Sequence, residues 1–539
     1  MRTHICAQKN CLVVDDFRGM RTLLRDMLRE CGATTIELLG TAKEALRAMQ
    51  SMPVDVVLCG DLDVAQGQNG QQLLEEAKHL ELIGPSCIWM MISAEKNPEA
   101  IMGSLEFQPD AYLLKPVTIN LLQERLEKIS KRKQAFGQIN RAVLKKNYRR
   151  AVQLCDEQMA YDKVHGIELL QIKGQMLALA GEVESAQVLF EQVLAIRELP
   201  WARTGLGRIC FDQRDYEAAI GHLERCIDYN PLYLEAYDWL AKALQCNGEI
   251  KEAEAVLASA LKMSPNSTRR QARLGELAFK RGDYTGAEAA FRKSISVGEY
   301  SVMKTPDAYV GLAKTCSATG KSTEAHAVLR TLQKQFDSED AILRAKTATG
   351  ILYRDERQKD KVDAVADEVE LMVNRSFSKF DKRASLEAAQ FLLATKHVES
   401  AVGLLRHLVV NNHDDQVLAT EVQSIFNGAN REQDGAKLIE DCQREANEMM
   451  NTGVLLARGG KLEEAVLAMR SAKTALPGNG RVLLNFVHVA LLYLDHFGPD
   501  LALIKESREA LNATRRIVPG DKRISQLSHQ LEELEVQFK

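Results

Sequence analysis

Beyond about residue 170 the chain repeats itself at a spacing of about 34 residues, so most of its length must form stacked two-element units rather than one closed core. One copy runs through Leu206, Gly207, Tyr216, Ala219, Leu223, Cys226 and Pro231. The next carries Leu240, Ala241, Ile250, Ala253, Leu257, Ala260 and Pro265 at matching offsets, and a third has Leu274, Gly275, Tyr284, Ala287, Phe291 and Ser294. Gly174, Gly181, Val183, Ala186 and Phe190 form a related copy upstream. Leu312, Ala313, Gly320, Ala325 and Leu329 form another downstream, and the pattern returns at Gly453, Gly460, Leu462, Ala465, Met469, Ala472 and Pro477. Between them the signal is loose, through Ala389, Val398, Ala401 and Leu405. The pattern is steric. Gly207, Ala241 and Gly275 on the first helix of a pair, with Ala219, Ala253 and Ala287 on the second, let two helices approach closely. Gly248 and Gly282 supply the turn between them, and Pro231 and Pro265 end the second helix.

Before about residue 130 the texture differs. Apolar runs at Cys11–Val14, Thr35–Leu39, Val54–Cys59, Cys87–Ile92 and Ala111–Leu114 read as short buried strands. Stretches of helical spacing separate and follow them: Arg18–Glu30, Ala42–Met49, Gln71–Leu80, Pro98–Leu105 and Ile119–Ile129. Such alternation predicts an α/β doubly wound sheet of five parallel strands, whose strands are apolar throughout because both faces are covered. The expected organisation is a sheet domain over 8–130, a linker with leading helices over 131–165 and repeats over 166–340. Degenerate helical repeats follow over 341–445, further repeats over 446–520 and a C-terminal helix over 521–539.

Bulk properties narrow the function classes. A hydrophobic content of 45% and a charged content of 27% are those of folded domains. The net charge of -4 gives no global basic field for nucleic acid. Lys131–Lys133, Lys145, Lys146, Arg149 and Arg150 read as solvated helix faces balanced by nearby acids, so nucleic acid is not the expected partner. No stretch reaches the apolar length of a membrane span, and MRTHICAQKN lacks a signal-peptide core, so membrane insertion is not expected. The 11 cysteines are scattered without a CxxC, which suits reduced thiols in the cytoplasm. His222, His326, His397 and His407 lie in helical stretches without matched ligand spacing. No phosphate-binding loop or nucleophile elbow occurs, so the output segment is not read as an enzyme.

In a doubly wound sheet, chemistry gathers at the carboxyl ends of the strands. Asp15 and Asp16 follow the first strand, Asp61 and Asp63 the third, Ser93 the fourth and Lys115 the fifth. Carboxylates at several strand ends with one lysine could hold a hard divalent cation beside a phosphoryl group. VVDD at the first strand, SA at the fourth and AYLLKP at the fifth resemble the receiver domain of bacterial response regulators over about Cys11–Ile129. The repeat copies resemble tetratricopeptide repeats, whose stacking forms a superhelix with a concave groove. The receiver resemblance implies Asp61 as phosphoryl acceptor and Mg2+ as cofactor. It implies Asp16 as a metal ligand, Asp15 as its helper, Asp61 beside the ion and Asp63 offering its backbone carbonyl. Ser93 would hydrogen-bond the phosphoryl group, Lys115 would pair with it, Pro116 would follow a cis bond, and Tyr112 would be the aromatic switch.

One departure stands out. Counting forward from Asp55 puts Gly60 in the acceptor slot, whereas counting back from Gly70 puts Asp61 there. The strand therefore carries one extra residue, and a β-bulge at Gly60 would absorb it. Asp63 is the rival acceptor. The resemblances together imply a two-component response regulator. A sensor histidine kinase or phosphotransfer protein would phosphorylate it, and the modification would gate binding of a protein partner in the repeat groove. The alternative is a constitutive scaffold with a vestigial receiver. Ile524, Leu527, Leu531, Leu534 and Phe538 alternate three and four apart, which suits either a capping helix for the array or the seam of a homodimer.

Overall fold

The computed structural model describes residues 5–62, 67–94, 106, 108–375, 377–518 and 521–537. The chain divides into two compact units, one made of Met1–Gln175 with Gln187–Gly311 and the other of Met176–Ala186 with Leu312–Lys539.

The first unit begins with five parallel strands: β1 (Asn10–Val14), β2 (Thr35–Leu39), β3 (Val56–Cys59), β4 (Ile88–Ser93) and β5 (Ala111–Leu114), in the order β2-β1-β3-β4-β5. Strands β3 and β4 are buried at every residue, which is why they read as unbroken apolar runs. Helices α1 (Arg18–Glu30), α2 (Ala42–Ser51), α3 (Gly70–His79) and α4 (Ile119–Ala135) cover the sheet. Cys11, Val13, Val56, Leu58, Met90 and Ile92 point to one layer, with Leu24 and Leu28 of α1 and Leu122 and Leu126 of α4. Leu12, Val14, Val57, Cys59, Trp89 and Met91 point to the other, with Ala45 and Met49 of α2 and Leu73 and Leu74 of α3. The period of two along each strand thus feeds two cores. The helix expected at Pro98–Leu105 falls outside the described residues.

Helix α4 runs past the expected end at Ile129, because nothing in Ser130–Gln134 breaks it. The boundary expected between 130 and 131 therefore lies inside a helix. Its extension is anchored. Lys133 Nζ pairs with Asp110 at 2.9 Å and donates to the Cys87 carbonyl at 2.6 Å. Arg132 Nε donates to Glu168 Oε1 at 2.7 Å, at the start of the helix Gly166–Leu179. These basic residues serve internal ion pairs.

The repeats of this unit are helix pairs: Pro200–Asp212 with Tyr216–Tyr229, Leu234–Cys246 with Ile250–Met263, and Thr268–Arg281 with Tyr284–Val297. A Cβ at Gly207 would stand 2.8 Å from Leu223 Cγ, and one at Gly275 would stand 2.8 Å from Phe291, so the small residues are needed where the helices cross. The turn at Gly282 has φ +86°, which glycine adopts without strain.

The second unit keeps the pairwise packing but varies its lengths. Glu339–Asp355 and Lys359–Arg375 are 17 residues each, and Glu432–Arg458 is 27. The boundaries expected between 340 and 341 and between 445 and 446 fall inside two of these helices. One core runs through Phe391, Phe426, Phe486 and, from the helix Lys522–Gln537, Ile524, Leu527 and Leu531. The apolar stripe of that last helix is packed inside the chain. Its expected member Phe538 lies outside the described residues. No helix among the described residues is long and apolar enough to cross a membrane.

Candidate functional site

At the carboxyl edge of the sheet, β1 and β3 bring Asp15 and Asp61 to the same lysine. Gly60 N donates to the Val14 carbonyl at 2.6 Å, but Asp16 N is answered by the carbonyl of Asp61, at 3.1 Å, not by that of Gly60. Gly60 and Asp61 together thus oppose the single residue Asp15, a one-residue bulge. The bulge needs glycine. A Cβ at Gly60 would lie 1.9 Å from Asp15 Oδ2.

Lys115 follows β5 and stands between the two carboxylates. Its Nζ is 3.1 Å from Asp15 Oδ2 and 2.9 Å from Asp61 Oδ2. Ser93, the last residue of β4, donates its hydroxyl to Asp61 Oδ1 at 2.5 Å, and the Ala94 amide donates to Asp61 Oδ2 at 3.3 Å. Asp15 is fully buried and accepts from the Phe17 amide at 2.8 Å. Burial pushes the Asp15 carboxyl up, and the Phe17 amide and Lys115 only partly offset it. Asp61 goes the other way. Burial raises it, but the hydrogen bonds from Ser93, Lys115 and Ala94 outweigh that and hold it below its ordinary value. Lys115 loses stabilisation by burial and regains more from Asp61 and Asp15, so its ammonium is held above its ordinary value.

The Lys115–Pro116 bond is cis, as the resemblance implied. Tyr112 is half-buried on β5 and packs against the α2 and α3 layer. Asp16 is exposed beside Asp15. Asp63 lies outside the described residues. Asp15 and Asp61 face one ammonium and Asp16 stands exposed next to Asp15 in the chain, so carboxylates outnumber the lysine and every donor is an oxygen. That donor set fits a hard divalent cation such as magnesium.

A second surface of the same domain meets the repeats of the first unit. The Gln68 side-chain amide donates to the Tyr300 carbonyl at 2.9 Å, and that of Gln72 to the Val297 carbonyl at 3.2 Å. The Ser301 hydroxyl donates to Glu75 Oε2 at 2.5 Å. Glu106 forms an ion pair with Arg270 at 2.5 Å and accepts from the Ser264 hydroxyl. Arg270 is buried and also holds Asp238 through two bonds of 2.7 Å. The sequence offered no sign of this docking, since Gln72 and Glu75 look like the solvated side of an amphipathic helix and Gln68 like a polar residue before it.

A family model for the response regulator receiver domain matches residues 11–127, and one for the tetratricopeptide repeat matches residues 211–274. Chemotaxis protein CheY-3 of Vibrio cholerae is 32% identical over 127 residues, which is 22% of this chain and 91% of that protein. The chain belongs to the response-regulator receiver family. Chemotaxis protein CheY of Pseudomonas aeruginosa is 30% identical over 127 residues, covering 22% of this chain and 95% of that relative. The C-terminal part of a TPR repeat-containing protein from Cytophaga hutchinsonii aligns with a TM-score of 0.36 and 16% identity over 46% of this chain and 97% of its own. The receiver match covers an early part of the chain, and the repeat match falls within the helices that follow it. The docking residues lie in segments that follow strands of the sheet: Gln68 stands between β3 and α3, and Glu106 lies between β4 and β5, as does Ala94.

Proposed function

We propose that this chain is a cytoplasmic two-component response regulator in which phosphorylation of Asp61 releases the receiver from the repeat array and frees the array for a protein partner. The observation that carries the reading is the docking of Gln68, Gln72, Glu75 and Glu106 on the repeat segment from Ser264 to Ser301. The elements that dock are the ones attached to the acceptor site.

A sensor histidine kinase or a phosphotransfer protein supplies a phosphohistidine. An oxygen of Asp61 attacks its phosphorus, the phosphorus–nitrogen bond breaks, and an acyl phosphate forms while the histidine regains its proton from solvent. Water later hydrolyses that acyl phosphate and restores the carboxylate. Asp15, Asp16 and Asp61, with the backbone carbonyl of Asp63, would hold the magnesium ion, which when bound supplies positive charge against the phosphoryl oxygens. The donors now on Asp61 (Ser93 hydroxyl, Ala94 amide and Lys115 ammonium) turn to the phosphoryl oxygens. Phosphorylation adds about -1.5 to -2 charge and three acceptor oxygens. Ser93 and Ala94 move toward it, Tyr112 fills the space left behind, and the β4–β5 connection shifts at Glu106.

The test is hydrogen exchange on the full chain with and without a small-molecule phosphodonor and magnesium. Faster exchange in Thr268–Arg281 and Tyr284–Val297, seen in wild type and absent in Asp61→Ala, supports the gate. Unchanged exchange in a chain shown by mass to be phosphorylated would sink it and leave the array a constitutive scaffold.

A further inference from the structure

In the second unit one histidine and two carboxylates are brought together from separate helix segments. The helix Lys359–Arg375 carries Asp367 and Glu370 one turn apart, on one face. His397 stands at the N-cap position of the helix Val398–Asn411, with its side chain making no capping bond. Its Nε2 lies 3.2 Å from Asp367 Oδ1 and 3.8 Å from Glu370 Oε2. On the other side of the ring, Nδ1 lies 3.1 Å from the Thr395 carbonyl oxygen. A carbonyl only accepts, and the Thr395 hydroxyl, 3.3 Å from Nδ1, donates to the Phe391 carbonyl at 3.0 Å, so Nδ1 carries the proton. In the neutral ring Nε2 is then a bare lone pair aimed at two carboxylates. That arrangement repels itself unless a proton or a metal ion sits between them.

The surroundings are those of a ligand set. The Nδ1–H bond to a backbone carbonyl is the outer contact that fixes the tautomer of a metal-binding histidine. Glu370 is oriented in turn, because the Ser400 hydroxyl donates to its Oε1 at 2.6 Å and leaves Oε2 toward the ring. Zinc–ligand bonds of about 2.0–2.2 Å place tetrahedral neighbours about 3.3 Å apart. Two of the separations here are 3.2 and 3.8 Å, and all three ligand atoms lie within 4.8 Å of one another. Asp367 is 75% exposed, so the ion could enter from solvent and keep a water as a further ligand. An imidazole nitrogen with two carboxylates favours a transition ion of the zinc class over magnesium or calcium, which prefer oxygen alone.

We propose that Asp367, Glu370 and His397 form a binding site for one divalent transition-metal ion of the zinc class, which clips the helix Lys359–Arg375 to the start of the helix Val398–Asn411. The site is independent of the receiver chemistry.

The experiment is calorimetric titration of the chelator-treated full chain with Zn2+ in excess Mg2+, repeated with Co2+ and read by its visible absorption. Wild type, His397→Gln and Asp367→Asn are compared. The exposed Asp367 can lose its charge without disturbing the core, so that variant guards against misfolding. The expected result is one site in wild type, weakened at least about tenfold in both variants, with a cobalt band of four- or five-coordinate intensity lost in both. Absence of binding in wild type, or equal affinity in wild type and both variants, overturns the proposal. Either result would mean that the cluster is an ion pair closed by a proton on Nε2.

Discussion

Replacing Gly60 by alanine tests the bulge at the end of β3 most sharply. The added Cβ would sit 1.9 Å from Asp15 Oδ2 and 2.7 Å from its Cγ, with the Asp15 Cβ at 3.0 Å. The carboxylate must swing away. It then loses the Phe17 amide at 2.8 Å and Lys115 at 3.1 Å while staying buried. Hydrogen bonds to charged groups contribute about 1.5–3 kcal/mol each, and overpacking costs about 1–3 kcal/mol. Some relaxation is available at the strand end, so a net cost of about 3 kcal/mol is expected. Native-state hydrogen exchange in peptides spanning β1 and β3 reads that local opening directly, and the expected change is about a hundredfold faster exchange. In an Asp15→Ala background the clashing atoms are gone and only the 3.0 Å contact remains, so the same substitution should cost about 1 kcal/mol. The coupling of about 2 kcal/mol comes from a double-mutant cycle. A Gly60→Ala variant within about 0.5 kcal/mol of wild type, or an equal cost in both backgrounds, would refute the reasoning.

Other positions give independent checks. Arg214 occupies the turn position held elsewhere by Gly248 and Gly282, at φ +65° with an exposed side chain. Arg214→Gly should stabilise that helix pair by about 1 kcal/mol, seen as slower hydrogen exchange in Pro200–Tyr229. Burial pushes the thiols of Cys31 and Cys442 up to about 11 and those of Cys87 and Cys155 up to about 12, whereas Cys246 is exposed. A thiol reagent at neutral pH should therefore label Cys246 first, with that fast phase lost in Cys246→Ser. Asp61 is held below its ordinary carboxyl value, so its stabilising contribution is fully present above about pH 4 and fades as pH falls through the lower folded value. Thermal melts of wild type and Asp61→Ala should differ at pH 7 and converge in acid. A gap that persists unchanged would contradict that sign.

The sheet was legible because its three central strands, β1, β3 and β4, are almost wholly buried and read as apolar runs, while the edge strands β2 and β5 are only partly covered. Thr35–Leu39 and Ala111–Leu114 stand where their apolar runs stand, and the other three edges move by one or two residues. The bulge was legible because two counts, forward from Asp55 and backward from Gly70, disagreed by one. The middle of the array was harder. Helices of 17 and 27 residues destroy a period set by pairs of 13 and 14, although the pairwise packing survives. Docking was illegible, since a glutamate such as Glu75 gives the same local pattern whether it meets water or Ser301. His397 lacked ligand spacing for a related reason: its carboxylate partners come from a different helix and only the packing unites them.

The central claim is that Asp61, one residue past the usual slot, accepts a phosphoryl group. It is tested directly by intact mass after treatment of wild type, Asp61→Ala and Asp63→Ala with a small-molecule phosphodonor and magnesium. One added phosphoryl group in wild type and in Asp63→Ala, absent in Asp61→Ala, is the predicted result. Loss in Asp63→Ala alone, or no addition to wild type, would contradict it.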